Sequence, residues 1–261
     1  MKYIKFMGLF LLVISWKGYA MDDGLSPDFS GEKVVIKVKV PNELAARKVK
    51  ATYRSAVCTF VAYDVNGDSY RRDSYTQMEA QSTRESGTDI LRSELAVDGG
   101  GRCRWKLSAV IFGVEYENTS QFGWGVTYGV GGGVVVMFDE TDSAYGGPNF
   151  KEDGDVMIRP DYYPWVREGF IGGYSKVVNL VRSGEGDLMY RAVNARSVEF
   201  EPVLHSGYEV HSIGPKVKRV GDGGIFYYPD GSSSHERRGQ PDFKKLQRIR
   251  LSADVDGSAK F

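Results

Sequence analysis

The strongest constraint on the fold is an Asn66-Gly67 pair that stands between two long segments of strand-forming residues. The central residues of a tight hairpin turn take positive φ values, which Asn and Gly tolerate better than other residues. The segment from Lys48 to Tyr63 is rich in β-branched and aromatic side chains, and we expect Ser69 to Glu79 to return beside it. The pair therefore predicts a long antiparallel hairpin.

Other segments also have the patterns of strands. In the segment from Lys33 to Val40, Lys37 and Lys39 alternate with Ile36, Val38 and Val40 until Pro41, and this period of two is typical of a half-buried strand. Further strands are predicted at Arg102 to Tyr116, Gly133 to Phe138, Tyr174 to Arg182, Leu188 to Phe200, Tyr208 to Ile213, Ile225 to Tyr228 and Gln247 to Val255. Short helices are predicted at Asn42 to Lys48 and at Thr88 to Leu95.

Many short strands joined by turns indicate a mainly β fold. The 32 Gly and 9 Pro exceed average usage, which agrees with a chain of frequent turns. We expect an antiparallel β-sandwich or two packed β units, with few short helices. An acidic, turn-rich segment from Asp139 to Asp161 predicts a boundary, with an N-terminal β domain over residues 21–140 and a C-terminal β-rich domain over residues 141–261.

The first twenty residues have the layout of a secretory signal peptide. Lys2 and Lys5 precede an apolar run from Phe6 to Ile14, and small residues at Gly18 and Ala20 predict cleavage after Ala20. The run has about nine residues, whereas a membrane span needs roughly twenty. We therefore expect an exported protein that does not span a membrane.

Export determines how the cysteines are interpreted. Cys58 and Cys103 are the two cysteines of the chain, and a pair in an oxidising compartment favours a disulfide. Such a bond closes a loop that is worth about 4 kcal/mol in the chain-entropy model. The alternative is a nucleophilic cysteine, which needs a histidine partner nearby in space. The second cysteine and the export signal favour the disulfide.

Motifs that carry chemistry are not found. The glycines from Gly129 to Gly133 precede strand-forming valines, whereas a phosphate-binding loop needs a helix after it. The histidines at positions 205, 211 and 235 match no zinc-binding spacing, and no Gly-x-Ser-x-Gly sequence occurs. The 34 basic and 34 acidic residues balance, so the net charge gives no attraction to nucleic acid. We expect neither an enzyme nor a cofactor or metal site, and no nucleic-acid partner.

Two aromatic segments predict a surface for protein recognition instead. Tyrosine, tryptophan and arginine are the residues that most often anchor interfaces. The predicted partner-binding residues are Tyr162, Tyr163, Trp165, Arg167, Tyr227 and Tyr228. The alternative is that these aromatic side chains pack in the core or across strands.

The turn and cysteine positions also resemble a known family. The segments concerned are Tyr53-Arg54-Ser55-Ala56-Val57-Cys58, Tyr63-Asp64, Gly67, Asp98-Gly99-Gly100-Gly101-Arg102-Cys103-Arg104-Trp105-Lys106-Leu107, Gly131-Gly132-Gly133-Val134-Val135-Val136 and Phe138-Asp139. Over roughly residues 50 to 140 the chain resembles periplasmic immunity proteins of Gram-negative bacteria, which are encoded beside phospholipase effectors of type VI secretion. The resemblance carries over no inhibitory residue.

The resemblance implies a periplasmic protein that binds a cognate phospholipase toxin and blocks its active site. A module that binds carbohydrate or another envelope surface through the same aromatic segments is the alternative. A third hypothesis is a secreted hydrolase that uses the carboxylates between Asp139 and Asp161, although their spacing in sequence does not establish a catalytic pair.

Overall fold

The structure is a computed structural model that describes residues 24–140, 147–217, 219, 222–236 and 239–255. The predicted signal peptide and its cleavage position lie outside the described residues. So does part of the acidic segment that predicts a domain boundary.

The described residues form twenty strands, one α-helix and a short 3-10 helix at Ser120–Phe122. The first ten strands are β1 (Lys33–Lys39), β2 (Ala45–Ala46), β3 (Val49–Tyr63), β4 (Ser69–Ala80), β5 (Ser82–Arg84), β6 (Ile90–Ala96), β7 (Asp98–Gly100), β8 (Trp105–Glu115), β9 (Thr127–Tyr128) and β10 (Gly133–Met137). The others are β11 (Phe150–Lys151), β12 (Val156–Ile158), β13 (Asp161–Gly169), β14 (Ser175–Val181), β15 (Leu188–Arg191), β16 (Ser197–Phe200), β17 (Val203–Leu204), β18 (Val210–Ile213), β19 (Gly224–Tyr227) and β20 (Ser233–Glu236), followed by helix α1 (Phe243–Val255). The prediction of a mainly β fold is confirmed.

The hairpin around Asn66-Gly67 forms, but it is not joined by a tight turn with positive φ at both residues, because residues 64–68 form a longer loop in which Gly67 has a positive φ and Asn66 does not. Strands β3 and β4 pair in antiparallel register up to Tyr63 and Ser69, and Gly67 has a φ of 87° in the connecting loop. Strand β1 also alternates as expected, because Val34, Ile36 and Val38 are buried while the intervening residues are not.

Three local predictions are wrong. The segments Asn42 to Lys48 and Thr88 to Leu95 are not helical, since they contain β2 and most of β6. Strand β6 pairs with β1 at every one of its positions, so tertiary pairing overrides local propensity there. The segment Gln247 to Val255 is not the last strand but lies in α1.

The first sheet has the strand order β12-β16-β1-β6-β5. Its central strand β1 is antiparallel to β6 and parallel to β16. The parallel pairing places Val35 opposite Ser197, two residues that are far apart in the chain. The second sheet has the order β11-β15-β10-β8-β3-β4, with β2 and β7 also paired to β8. Both sheets are mixed, because β10 and β15 are parallel as well.

The first two sheets pack face to face as a β-sandwich. The ring of Phe112 on β8 meets that of Phe200 on β16 edge to face, with centroids 5.9 Å apart. The hydroxyl of Tyr53 on β3 donates a hydrogen bond of 2.9 Å to the carbonyl oxygen of Ala96 on β6. Strands from both sides of residue 140 pair in each of these sheets, and buried residues from both sides share one core.

The third sheet has the order β20-β19-β18-β13-β14-β9, with β17 beside β13. Both faces of β13 are covered. Tyr162 and Val166 belong to the main core, whereas Tyr163 and Trp165 pack in a second cluster that includes Leu246 of α1. The helix therefore closes the side of the third sheet that faces away from the sandwich.

Candidate functional site

The six predicted partner-binding residues differ in accessibility. Tyr162, Tyr163, Trp165 and Tyr228 are buried, because β13 is covered on both faces and Tyr228 packs in the second cluster. Arg167 and Tyr227 are exposed. The structure does not gather the six side chains on one surface, and their part in partner binding stays a prediction.

An aspartate–histidine pair lies between the third sheet and α1. His205 Nε2 lies 2.7 Å from Asp161 Oδ1, and Gln247 Nε2 donates to Asp161 Oδ2 at 2.9 Å. The His205 ring stacks on Tyr163, whose hydroxyl accepts a hydrogen bond of 3.0 Å from Arg250 Nε. Both Gln247 and Arg250 lie on α1, so their hydrogen bonds to Asp161 and Tyr163 attach the helix to β13.

The environment of Asp161 favours its charged form. Burial raises the pKa of this carboxyl, but the hydrogen bonds from His205 and Gln247 and the nearby positive charges outweigh burial. The net effect lowers the pKa of Asp161 below its ordinary value. The carboxylate is therefore an acceptor that holds two side chains in place.

Metal-binding clusters of side chains and membrane-spanning helices are both absent from the described residues. No group of three or more His, Cys, Asp or Glu in this part of the chain is arranged to hold a metal ion. No described helix is long and apolar enough to cross a membrane.

The β3–β4 hairpin extends beyond the sandwich. Strand β8 pairs with β3 from Lys50 to Arg54. From Thr59 to Tyr63, β3 pairs with β4 alone, so this part is a two-stranded ribbon with no third strand among the described pairings. We call residues 56–73 the distal hairpin.

The distal hairpin carries large apolar side chains that are exposed to solvent. Val65 in the loop is 100% exposed and Tyr63 is 69% exposed. The full set of exposed large apolar residues in the distal hairpin is Val57, Phe60, Val61, Tyr63, Val65 and Tyr70. The pairing places Phe60 and Tyr70 on one face of the ribbon and Val61 and Tyr63 on the other, so both faces carry exposed apolar side chains. Exposed apolar surface of this kind is typical of interaction sites.

The disulfide between Cys58 and Cys103 fixes the base of the distal hairpin, which confirms the predicted pairing. Cys58 lies where the β3–β4 register shifts, and Cys103 is buried in the turn before β8. Arg54 adds ion pairs of 2.5 Å to Asp73 and 3.0 Å to Asp139. The ribbon is therefore attached to the sandwich by a covalent bond and a charged network. A disulfide is typical of oxidising compartments.

The loop of the distal hairpin is also ordered by local hydrogen bonds. Asp64 Oδ1 accepts the backbone N–H groups of Asn66 at 2.8 Å and Asp68 at 2.9 Å. The Asp64 side chain thus satisfies backbone donors that the turn leaves open. As a result, Val65 is held at the tip of a defined turn.

Sequence reasoning predicted this hairpin but missed that its distal part leaves the sheet. A signal was present, because the predicted strand from Lys48 to Tyr63 is far longer than the usual strand of about five or six residues. A strand of this length extends past its neighbours when those are shorter, as β8 is here.

Comparisons of the chain with protein-family models, with curated proteins and with solved structures found no match.

Proposed function

We propose that this chain is an exported, periplasmic inhibitor that binds a cognate phospholipase toxin of type VI secretion and blocks its active site. The toxin class comes from the family resemblance of residues 50–140. The observation that carries the binding role is the exposed apolar surface of the distal hairpin. We assign the main contact with the toxin to this surface.

The physical argument begins with the stability of the ribbon. A two-stranded hairpin is marginally stable in water unless its apolar side chains are covered. Here Phe60, Tyr63 and Val65 are exposed, so a partner that covers them removes apolar surface from water at about 25 cal/mol per Å². Buried aromatic side chains are frequent anchors of tight interfaces.

The attachment of the distal hairpin adds to the argument. Binding by a flexible segment loses affinity because the segment must be ordered when it binds. The Cys58–Cys103 bond and the ion pairs of Arg54 limit that cost, since they fix the base before the partner arrives. The narrow ribbon with Val65 at its tip has a shape that fits a cleft.

Site-specific photo-crosslinking tests the partner and the surface together. A photoreactive phenylalanine analogue is placed at Tyr63, and at Leu251 of α1 as the control, because both native side chains are exposed. We expect the Tyr63 position alone to crosslink, in cells under type VI attack, to a protein with phospholipase activity. Crosslinks from Tyr63 to envelope glycan material alone would favour the carbohydrate-binding alternative.

An inhibition assay with the captured phospholipase completes the test. The double variant Tyr63→Ala with Val65→Ala is expected to weaken inhibition by roughly a hundredfold, as loss of two contact residues does. The control Leu251→Ala removes an exposed apolar side chain elsewhere and is expected to inhibit normally. Full inhibition by the double variant, with an unchanged fold, would exclude the distal hairpin as the binding surface.

A further inference from the structure

A second surface lies at one end of the third sheet. Strand β13 ends there, β14 begins there, and β18 runs parallel to β13 and ends beside it. Strand β9 is parallel to β14 and begins at the same end, with Thr127 opposite Val177. The sheet topology therefore brings three loops together, at residues 123–126, 170–174 and 214–217. We call them the loop end.

Contacts between elements support this grouping. Lys216 Nζ lies 5.9 Å from the centre of the Phe170 ring, which joins the second and third loops. Phe170 also lines a groove of about 290 Å³ together with Pro215. A side chain added at Gly123 would lie 3.7 Å from Lys176 Nζ, which places the first loop beside the start of β14.

Each of the three loops presents a large apolar side chain to solvent. Trp124 is 100% exposed, Tyr174 is 65% exposed, and Ile171 and Val217 are more than half exposed. Neither of the first two loops contains a charged residue. Tryptophan and tyrosine are the side chains that prefer the boundary between membrane and water, because each combines an apolar ring with a polar group.

Cations accompany the apolar side chains. Lys216 and Arg219 are exposed in the segment that follows β18, and Lys176 at the start of β14 pairs with Glu168 at 3.4 Å. Asp222 is the only acidic residue among the residues that the structure describes between β18 and β19. The Lys216 ammonium group lies over the Phe170 ring, a cation–π arrangement, and the residue remains exposed to solvent. Cations at this position complement anionic lipid headgroups.

We propose that the loop end binds the surface of a phospholipid bilayer that contains anionic lipid. Trp124, Ile171 and Tyr174 enter the headgroup region, and Lys216 and Arg219 contact lipid phosphates. A bilayer fits this surface better than a protein partner does, because Trp124 and Tyr174 lie outside the groove that Phe170 lines and stand on separate loops beside exposed cations. The proposal does not depend on the toxin-binding role of the distal hairpin.

Vesicle co-sedimentation of the purified protein tests the proposal. We expect binding to vesicles of phosphatidylcholine with phosphatidylglycerol, and weaker binding to phosphatidylcholine alone or at high salt. Trp124→Ala and Tyr174→Ala are each expected to weaken binding roughly tenfold, and Lys216→Ala to reduce its salt dependence. Leu251→Ala is the matched control, because it removes an exposed apolar side chain from a different surface.

Tryptophan fluorescence provides a second readout that does not depend on sedimentation. Among the described tryptophans, Trp105 and Trp165 are buried and Trp124 is fully exposed. We expect anionic vesicles to shift the emission to shorter wavelength, and Trp124→Phe to abolish the shift while it preserves most of the binding.

The proposal is overturned by either of two results. The first is that the wild-type protein binds neither type of vesicle. The second is that Trp124→Ala and Tyr174→Ala bind vesicles as tightly as the wild type does, which would show that the loop end is not the surface that contacts the bilayer.

Discussion

The Ser55 hydroxyl donates a hydrogen bond of 2.6 Å to the carbonyl oxygen of Cys103, the residue whose side chain is bonded to Cys58. The same hydroxyl oxygen accepts the backbone N–H of Cys58 at 2.8 Å. The buried side chain of Ser55 therefore connects both partners of the disulfide through hydrogen bonds. The base of the distal hairpin is held by this unit as well as by the covalent bond.

Removal of the disulfide is expected to destabilise the protein. The double variant Cys58→Ala with Cys103→Ala should lower the free energy of unfolding by about 2–4 kcal/mol, because the unfolded chain gains the freedom that the crosslink removes. Urea unfolding monitored by circular dichroism measures the change. Ser55→Ala keeps the bond and should cost about 1–2 kcal/mol. An unchanged unfolding midpoint in the double variant would contradict a structural role for the disulfide.

The buried tyrosines Tyr53 and Tyr162 are expected to respond differently to loss of the hydroxyl. Burial raises the pKa of Tyr53 to about 12, and its neutral hydroxyl donates to the Ala96 carbonyl. Tyr53→Phe leaves that carbonyl unpaired and should cost about 1–3 kcal/mol. The hydroxyl of Tyr162 is buried with no hydrogen-bond partner among the described residues, so Tyr162→Phe should be neutral or stabilising. Thermal unfolding of the two variants tests the pair, and equal losses of stability would refute the explanation.

A side chain at position 99 is expected to disrupt the packing of the sandwich. A Cβ atom added at Gly99 would lie 2.5 Å from Tyr53 Cδ1 and 2.8 Å from the Cβ of Trp105. Gly99→Ala should therefore destabilise the protein by about 1–3 kcal/mol, the usual range for an overpacked core. Gly147→Ala is the control, since nothing lies within 4 Å of the added atom. Chemical denaturation of both variants would show whether the two substitutions differ.

Acid is expected to loosen α1 through Asp161. The pKa of this carboxyl is lowered in the folded state, so its stabilising contribution is present above the ordinary value of 3.8 and is lost as the pH falls through the lower folded-state value. Hydrogen exchange of the α1 amides at pH 7 and at successively lower pH measures the loss. Asp161→Asn keeps an acceptor but cannot titrate, so its α1 should lack this part of the acid response. Identical acid profiles for variant and wild type would rule out Asp161 as the group responsible.

The strands that depend on local pattern were predictable from the sequence. The alternation in β1 and the pairing of the two strands that flank Asn66-Gly67 are both confirmed, since each depends on the local residue pattern. The parallel pairing of β1 with β16 was not predictable, because the residue pattern of a strand does not indicate which strand it pairs with, and here the two strands are about 160 residues apart. The predicted strand from Leu188 to Phe200 likewise divides into β15 and β16, which lie in different sheets.

Helix α1 illustrates a misleading pattern. Ile249, Leu251 and other apolar residues alternate in its sequence as they would in a strand. The helical signal was the start of the segment, where Asp242 Oδ1 accepts the backbone N–H of Lys245 at 3.1 Å as an N-cap does. Leu246 and Ile249 are three positions apart and pack in the second cluster, which is the spacing of a helix.

The candidate site was the least predictable part of the molecule. Composition identifies aromatic segments but does not show whether their side chains are buried. Tyr163, on a strand covered on both faces, is buried and Tyr63, on the projecting ribbon, is exposed, yet the sequence does not distinguish them. The difference arises from what packs beside each strand. Strand β13 has sheet neighbours and a helix over it, whereas the distal part of β3 has one neighbour.

The parallel pairing of β1 with β16 sets an order of events for folding. Strand β1 is synthesised well before β16, because its partner residues in that strand lie about 160 positions later in the chain. Contacts between residues so distant in sequence form slowly, and chains that wait for them expose unpaired strand edges. The edge of β1 that β16 covers must therefore remain open until most of the chain has been synthesised. Chaperones and proteases would act on the protein during that interval.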